Sequence, residues 1–74
     1  MNRETIQEWL HRRPFEPFEV HLSNGDVHQV HNPEFAMVLR TNVIIGYPNT
    51  DRHAICSLLH IVSLEPVLDG PATS

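Results

Sequence analysis

Lysine is absent from this chain. All five basic residues are arginines, set against nine acidic ones, for a formal net charge of −4. Proteins that bind nucleic acid by neutralising phosphates carry a basic surface, so the balance counts against broad nucleic-acid binding while leaving room for a local arginine cluster. The single cysteine, Cys56, excludes an intramolecular disulfide scaffold. No apolar run approaches the ~18 residues of a spanning helix, and Met1-Asn2-Arg3-Glu4 leads into no apolar stretch of the kind a secretory signal needs. A cytoplasmic location without membrane contact is the expectation. The three glycines, Gly25, Gly46 and Gly70, make no phosphate-cradling loop. At 74 residues the chain is expected to form one domain. A domain of that size hides only about 60% of its unfolded surface, which favours stabilisation by association over a deep buried active site.

What is present is local and specific. Residues 3–13 read as an amphipathic helix. Asn2 is placed to cap its first turn, Glu4 lies near the positive end of the dipole, and Arg12 and Arg13 lie near the negative end. Ile6, Trp9 and Leu10 form one apolar stripe, Glu8 and Arg12 are spaced to pair, and Pro14 ends the helix. After the stiff connector Pro14-Phe15-Glu16-Pro17, two alternating runs flank Asn24-Gly25, a strong hairpin signal. A two-residue turn would set Val20 opposite Gln29. A three-residue loop, Ser23-Asn24-Gly25 with Gly25 in a left-handed bulge, sets Val20 opposite His28 and Phe18 opposite Val30. The second register gathers Phe18, Val20, Leu22 and Val30 on one face and is preferred, because a one-residue slip exchanges the faces. It leaves Val27 outside and His28 at least partly inside.

Pro33 cannot donate to a ladder, so Asn32-Pro33-Glu34-Phe35 is expected to bend the sheet. Ala36–Leu39, Val43–Tyr47, His53–Leu58 and Ile61–Glu65 continue it. Pro48–Asp51 forms a loop and Leu59-His60 a short turn, and Gly46 reads as a bulge or bend. The expected fold is α+β, mainly β: an N-terminal helix capping a five-stranded, strongly bent antiparallel sheet over residues 1–66, followed by a disordered tail at 67–74. The expected core is Ile6, Trp9, Leu10, Phe15, Phe18, Val20, Leu22, Val30, Phe35, Val38, Ile44, Ile55 or Cys56, Ile61 and Leu64, with the facing of the strands after Pro33 left open.

This order of elements resembles the SH3-like barrel of the Sm-like family. Val20-His21-Leu22-Ser23-Asn24-Gly25, Phe35–Leu39 and Leu59-His60-Ile61-Val62-Ser63-Leu64-Glu65-Pro66 resemble segments of its bacterial RNA chaperones (Hfq). The resemblance implies a small barrel and an RNA-binding ring. Where that family binds bases through Asp-x-apolar-Asn, this chain reads Asn32-Pro33-Glu34-Phe35. Where the chaperones carry Tyr-Lys-His, it reads Ser57-Leu58-Leu59. The chain is also similar to a group of short bacterial proteins built as helix, Pro-Phe-x-Pro-Phe, strand, Asp/Asn-Gly, strand, Pro-Glu-Phe. These elements are matched by Pro14–Phe18, Asn24-Gly25 and Pro33–Phe35, and the similarity implies no activity.

The residues with chemistry are few. Six histidines, His11, His21, His28, His31, His53 and His60, include no helical i, i+4 pair and no HExxH, and Cys56 belongs to no CxxC unit. They read as scattered surface and rim groups, so no metal site, catalytic residue or cofactor is assigned. Cys56 sits between Ala54 and Leu58 and reads as a buried, inert thiol. Arg12, Arg13, Arg40 and Arg52, with Trp9 or Tyr47 nearby, are the candidates for an anion or RNA patch. The leading expectation is a small non-enzymatic interaction module whose open sheet edges pair with an unidentified protein partner or a second copy. An Sm-like RNA-binding ring is the alternative, and a metal- or thiol-dependent enzyme the third reading.

Overall fold

The computed structural model describes residues 1–47 and 50–67. One helix, α1 (Arg3–Leu10), precedes six strands: β1 (Phe18–Leu22), β2 (Val27–Val30), β3 (Ala36–Val38), β4 (Asn42–Gly46), β5 (His53–Ser57) and β6 (Ile61–Pro66). Asn2 caps α1 as expected, its side chain accepting from the Thr5 N–H at 3.0 Å. The helix is shorter than its sequence pattern suggests. It closes at His11, ahead of the residue that Pro14 bars from helical geometry. Arg12 and Arg13 therefore lie beyond its last turn, and Arg12 pairs with Glu16 at 3.6 Å instead of Glu8.

The strands form two antiparallel three-stranded sheets rather than one five-stranded bent sheet. Sheet A has the order β2-β1-β6 and sheet B the order β3-β4-β5; among the described residues no closed barrel is formed. The cause is local. A single 3₁₀ turn at Pro33–Phe35, capped by Asn32, interrupts the ladder between β2 and β3 and carries the chain from sheet A to sheet B. A second 3₁₀ turn at Leu58–His60, capped by Ser57, carries it back. The hairpin adopts the three-residue loop: Val20 faces His28, Phe18 faces Val30, and Gly25 has φ +94°. The Leu22 N–H donates to Asp26 at 2.9 Å. Where β6 joins β1, the register shifts between His21, which pairs with Ser63, and Leu22, which pairs with Ile61. Val62 is the extra residue, and it is exposed.

The helix and the inner faces of both sheets share one core of Ile6, Leu10, Phe18, Val20, Val30, Val43, Ile45, Cys56, Leu58 and Ile61. Phe18 is its hub, with Trp9 and Phe15 packed edge-on at ring separations of 5.4 and 6.1 Å. Two expected core positions, Ile44 and Phe35, are corrected, and the choice between Ile55 and Cys56 falls to Cys56. Val43 and Ile45 face inward, so Ile44 faces outward. Cys56 is buried and Ile55 is exposed, and Phe35 sits at the rim. Because side chains alternate along a strand, the residue at which β3 restarts after the Pro33 turn decides every facing in sheet B. Ala36 pairs with Ile45, which sets that parity. Gly46 pairs in register with His53 and marks no bulge. The Val67 N–H continues onto Pro17 at 3.1 Å. The rest of the tail expected to be disordered, 68–74, lies outside the described residues.

Candidate functional site

The outer face of sheet B is the first of two unusual surfaces. Ile44 pairs with Met37 on one side and Ile55 on the other, so the three side chains form one apolar row across all three strands. Met37 is 59% exposed and Ile55 61%. No residue of β3, β4 or β5 is Asp, Glu, Lys or Arg. β5 is an edge strand, hydrogen-bonded to β4 alone. It carries neither the charge nor the proline with which natural edges are usually blunted.

The outer face of sheet A is polar. Alternation along β1 sends Phe18 and Val20 into the core and turns Glu19 and His21 outward. Glu65 of β6 stands directly opposite Glu19. The Glu19 carboxylate accepts from His21 Nε2 at 3.0 Å and from Gln29 Nε2 at 3.2 Å. His31 Nε2 in turn donates to the Gln29 carbonyl at 2.8 Å. His21 Nε2 lies 3.9 Å from Glu65. One donor atom from each of Glu19, His21 and Glu65 lies within 4.8 Å of the others. The hydrogen bonds from His21 and then Gln29 hold the Glu19 carboxyl below its ordinary range.

The six histidines do not converge. His11 caps the helix, His21 belongs to the Glu19 cluster, and His31 bonds Gln29. His28 Nδ1 and the Tyr47 hydroxyl hydrogen-bond to each other in the lining of an open cleft of about 470 Å³, which Val27, Gln29, His31, Phe35 and Gly46 complete. His60 lies in the Leu58–His60 turn, its Nδ1 3.4 Å from the Ser23 hydroxyl. His53 is exposed on β5, and its parity is opposite to that of Cys56 on the same strand. The two therefore point to opposite faces and cannot form a nucleophile–base pair. Burial, with a smaller contribution from the Asp26 charge, pushes the Cys56 thiol above its ordinary value, which keeps it protonated. Burial likewise raises Tyr47.

The arginines are spread over the fold. Arg12 stacks on Trp9, its guanidinium 4.1 Å from the ring centroid. Arg13 follows it, exposed, in the connector to β1. Arg40 lies in the β3–β4 turn and Arg52 in the β4–β5 loop, at opposite ends of β4. Glu19 and Glu65 were missed in the sequence. Glu19-x-His21 on one strand face was a legible half of that cluster. The other half depends on pairing between strands some 40 residues apart. No helix among the described residues is long and apolar enough to cross a membrane. No protein-family model matches the chain, and no curated protein or solved structure matches it either.

Proposed function

We propose that this protein is a non-enzymatic interaction module that works by pairing with a second copy of itself through sheet B. The observation that carries the reading is the uncharged outer face of that sheet, with the Met37–Ile44–Ile55 row running out to the open β5 edge. The chain's net charge of −4 makes most of its surface repel its own copy. Sheet B contributes no formal charge to such an encounter, so two copies meet there without that cost. The remaining exposure of Met37 and Ile55 gives the contact an apolar driving force. The small core of a chain this short gives association a stabilising role as well.

Sedimentation equilibrium on the untagged chain tests it. The expected result is a reversible dimer that Ile55→Glu converts to a monomer, while Glu8→Gln on the exposed helix face leaves it intact. A wild-type chain that stays monomeric up to about 1 mM refutes the reading, since that limit leaves less than about 4 kcal/mol of association.

A second reading, an Sm-like RNA-binding ring, has one observation in its favour. Counting β2 and β3 as a single strand bent at Pro33 gives five strands in the order β6-β1-β2/β3-β4-β5, the connectivity of the Sm-like barrel that the sequence resembles. On this reading sedimentation gives a six- or seven-fold species. RNA binding then weakens steeply with salt and falls when Arg40 or Arg52 is replaced by Gln.

A further inference from the structure

We infer that Glu19, His21 and Glu65 form a binding site for one divalent transition-metal ion of the zinc class on the outer face of sheet A, joining β1 to β6. The geometry comes first. A tetrahedral zinc ion with bonds of about 2.0–2.1 Å holds its ligand atoms about 3.4 Å apart. The His21 Nε2 separations, 3.0 Å to Glu19 and 3.9 Å to Glu65, bracket that edge, and the third separation lies within 4.8 Å. Closing the site therefore needs the Glu19–Glu65 edge to shorten by at most about 1.4 Å, within the reach of side-chain rotation. All three donors stand on strands fixed by the β1–β6 ladder.

Charge gives a second, independent reason. Glu19 and Glu65 are directly opposed on neighbouring strands, and like charges in that position are destabilising. A cation between them removes the repulsion, and a dication with a neutral imidazole balances the two carboxylates. The ion takes the place of the proton on His21 Nε2, which passes to solvent from a protonated ring or is replaced by one on Nδ1 in a neutral ring, so the bound imidazole stays neutral. The surroundings also fit. Metal-bound carboxylates are commonly oriented by outer hydrogen bonds. Here Gln29 donates to the second Glu19 oxygen and is itself anchored by His31, and the Ser63 hydroxyl lies 3.4 Å from Glu65.

The donor set selects the ion. One imidazole nitrogen with two carboxylates suits zinc, cobalt or nickel, whereas calcium and magnesium prefer an all-oxygen shell. Three protein ligands leave the fourth position to water on an exposed face, so the site is open rather than closed.

Zinc chloride titrated calorimetrically into the untagged, chelator-treated full chain tests the inference, with cobalt absorption reporting coordination. The expected result is one ion per chain, a raised thermal midpoint, and intense tetrahedral cobalt bands. His21→Ala and Glu65→Gln each weaken zinc binding by at least about tenfold, Gln29→Ala weakens it less, and His53→Ala leaves it unchanged. Glu65 is exposed, so Glu65→Gln is expected to fold, which circular dichroism of the metal-free variant checks. Absence of saturable binding below about 1 mM, or zinc affinity in Glu65→Gln and His21→Ala within twofold of wild type, overturns the site. So does loss of binding in His53→Ala alone.

Discussion

Replacing Gly25 by alanine isolates one term in the stability of the hairpin. Gly25 has φ +94°, a conformation that a Cβ makes costly by about 1–2 kcal/mol. A Cβ built there meets no atom within 4 Å, so no steric clash adds to that strain. Alanine also narrows the unfolded ensemble, which returns about 0.4–1 kcal/mol. The expected net loss is about 1 kcal/mol, or about 4–8 °C in Tm for a domain of this length. Gly46 supplies the control. Its φ is not in the left-handed region, and an added Cβ would stand 3.7 Å from the Phe35 carbonyl oxygen, an ordinary contact. Because glycine weakens a strand interior by about 0.5–1 kcal/mol, Gly46→Ala is expected to be neutral or slightly stabilising. Urea unfolding of both variants at constant m-value reads the two signs. Equal stability of Gly25→Ala and wild type would show that the loop does not use the left-handed bulge. A loss above about 3 kcal/mol would show a clash that open space does not supply. Gly25→Asn should fall between alanine and wild type, since asparagine tolerates positive φ.

Other outcomes follow from the same structure. Ile45→Ala, at a position with no exposed surface, should cost about 2–5 kcal/mol. Ile55→Ala should cost less than about 1 kcal/mol in the monomer yet weaken self-association; urea unfolding at low concentration and sedimentation separate the two effects. On the alkaline side, folding raises the Cys56 thiol above its ordinary value of 9.0. The unfolded chain therefore releases a proton that the folded chain keeps, and stability falls as pH rises past that value. Cys56→Ala should flatten this fall up to the ordinary Tyr value of 10.0, beyond which Tyr47 acts with the same sign. On the acid side the sign reverses. The Glu19 carboxyl is lowered by folding, so its contribution is present above the ordinary value of 4.5 and is lost as pH falls below it. Glu19→Gln should remove that part of the acid limb in a pH series of urea midpoints.

The elements that could be read from sequence are those decided within a few residues. The Asn2 cap, the Gly25 loop and the Pro33 interruption each depend on one side chain and its neighbours. From the loop register followed the facing of Phe18, Val20, Val27 and His28. Beyond Pro33 the local signal fails for a physical reason. Val43-Ile44-Ile45 is apolar without alternation, so its inner and outer members look alike, and the choice falls to the residue at which β3 restarts. The outward Ile44 and Ile55 were hidden by that ambiguity. The division into two sheets was hidden because the Pro33 turn proves long enough to end one sheet and begin another.

Both proposed sites depend on how the chain leaves and re-enters sheet A, and this links them. β1 is the centre of that sheet, with β2 joined to it by a tight loop and β6 arriving after the whole of sheet B. The β1–β6 ladder closes over a long stretch of chain, and long closures carry the larger entropy cost. Glu19 and Glu65 oppose each other in that ladder and weaken it when no cation lies between them. An ion bound there strengthens the junction that returns the chain from β5, the edge strand of the proposed pairing surface. Zinc should therefore raise the thermal midpoint of a monomeric Ile55→Glu variant as much as that of wild type, because the junction is intramolecular. A midpoint that zinc raises only in the self-associating chain would place the ion between copies instead and break this link.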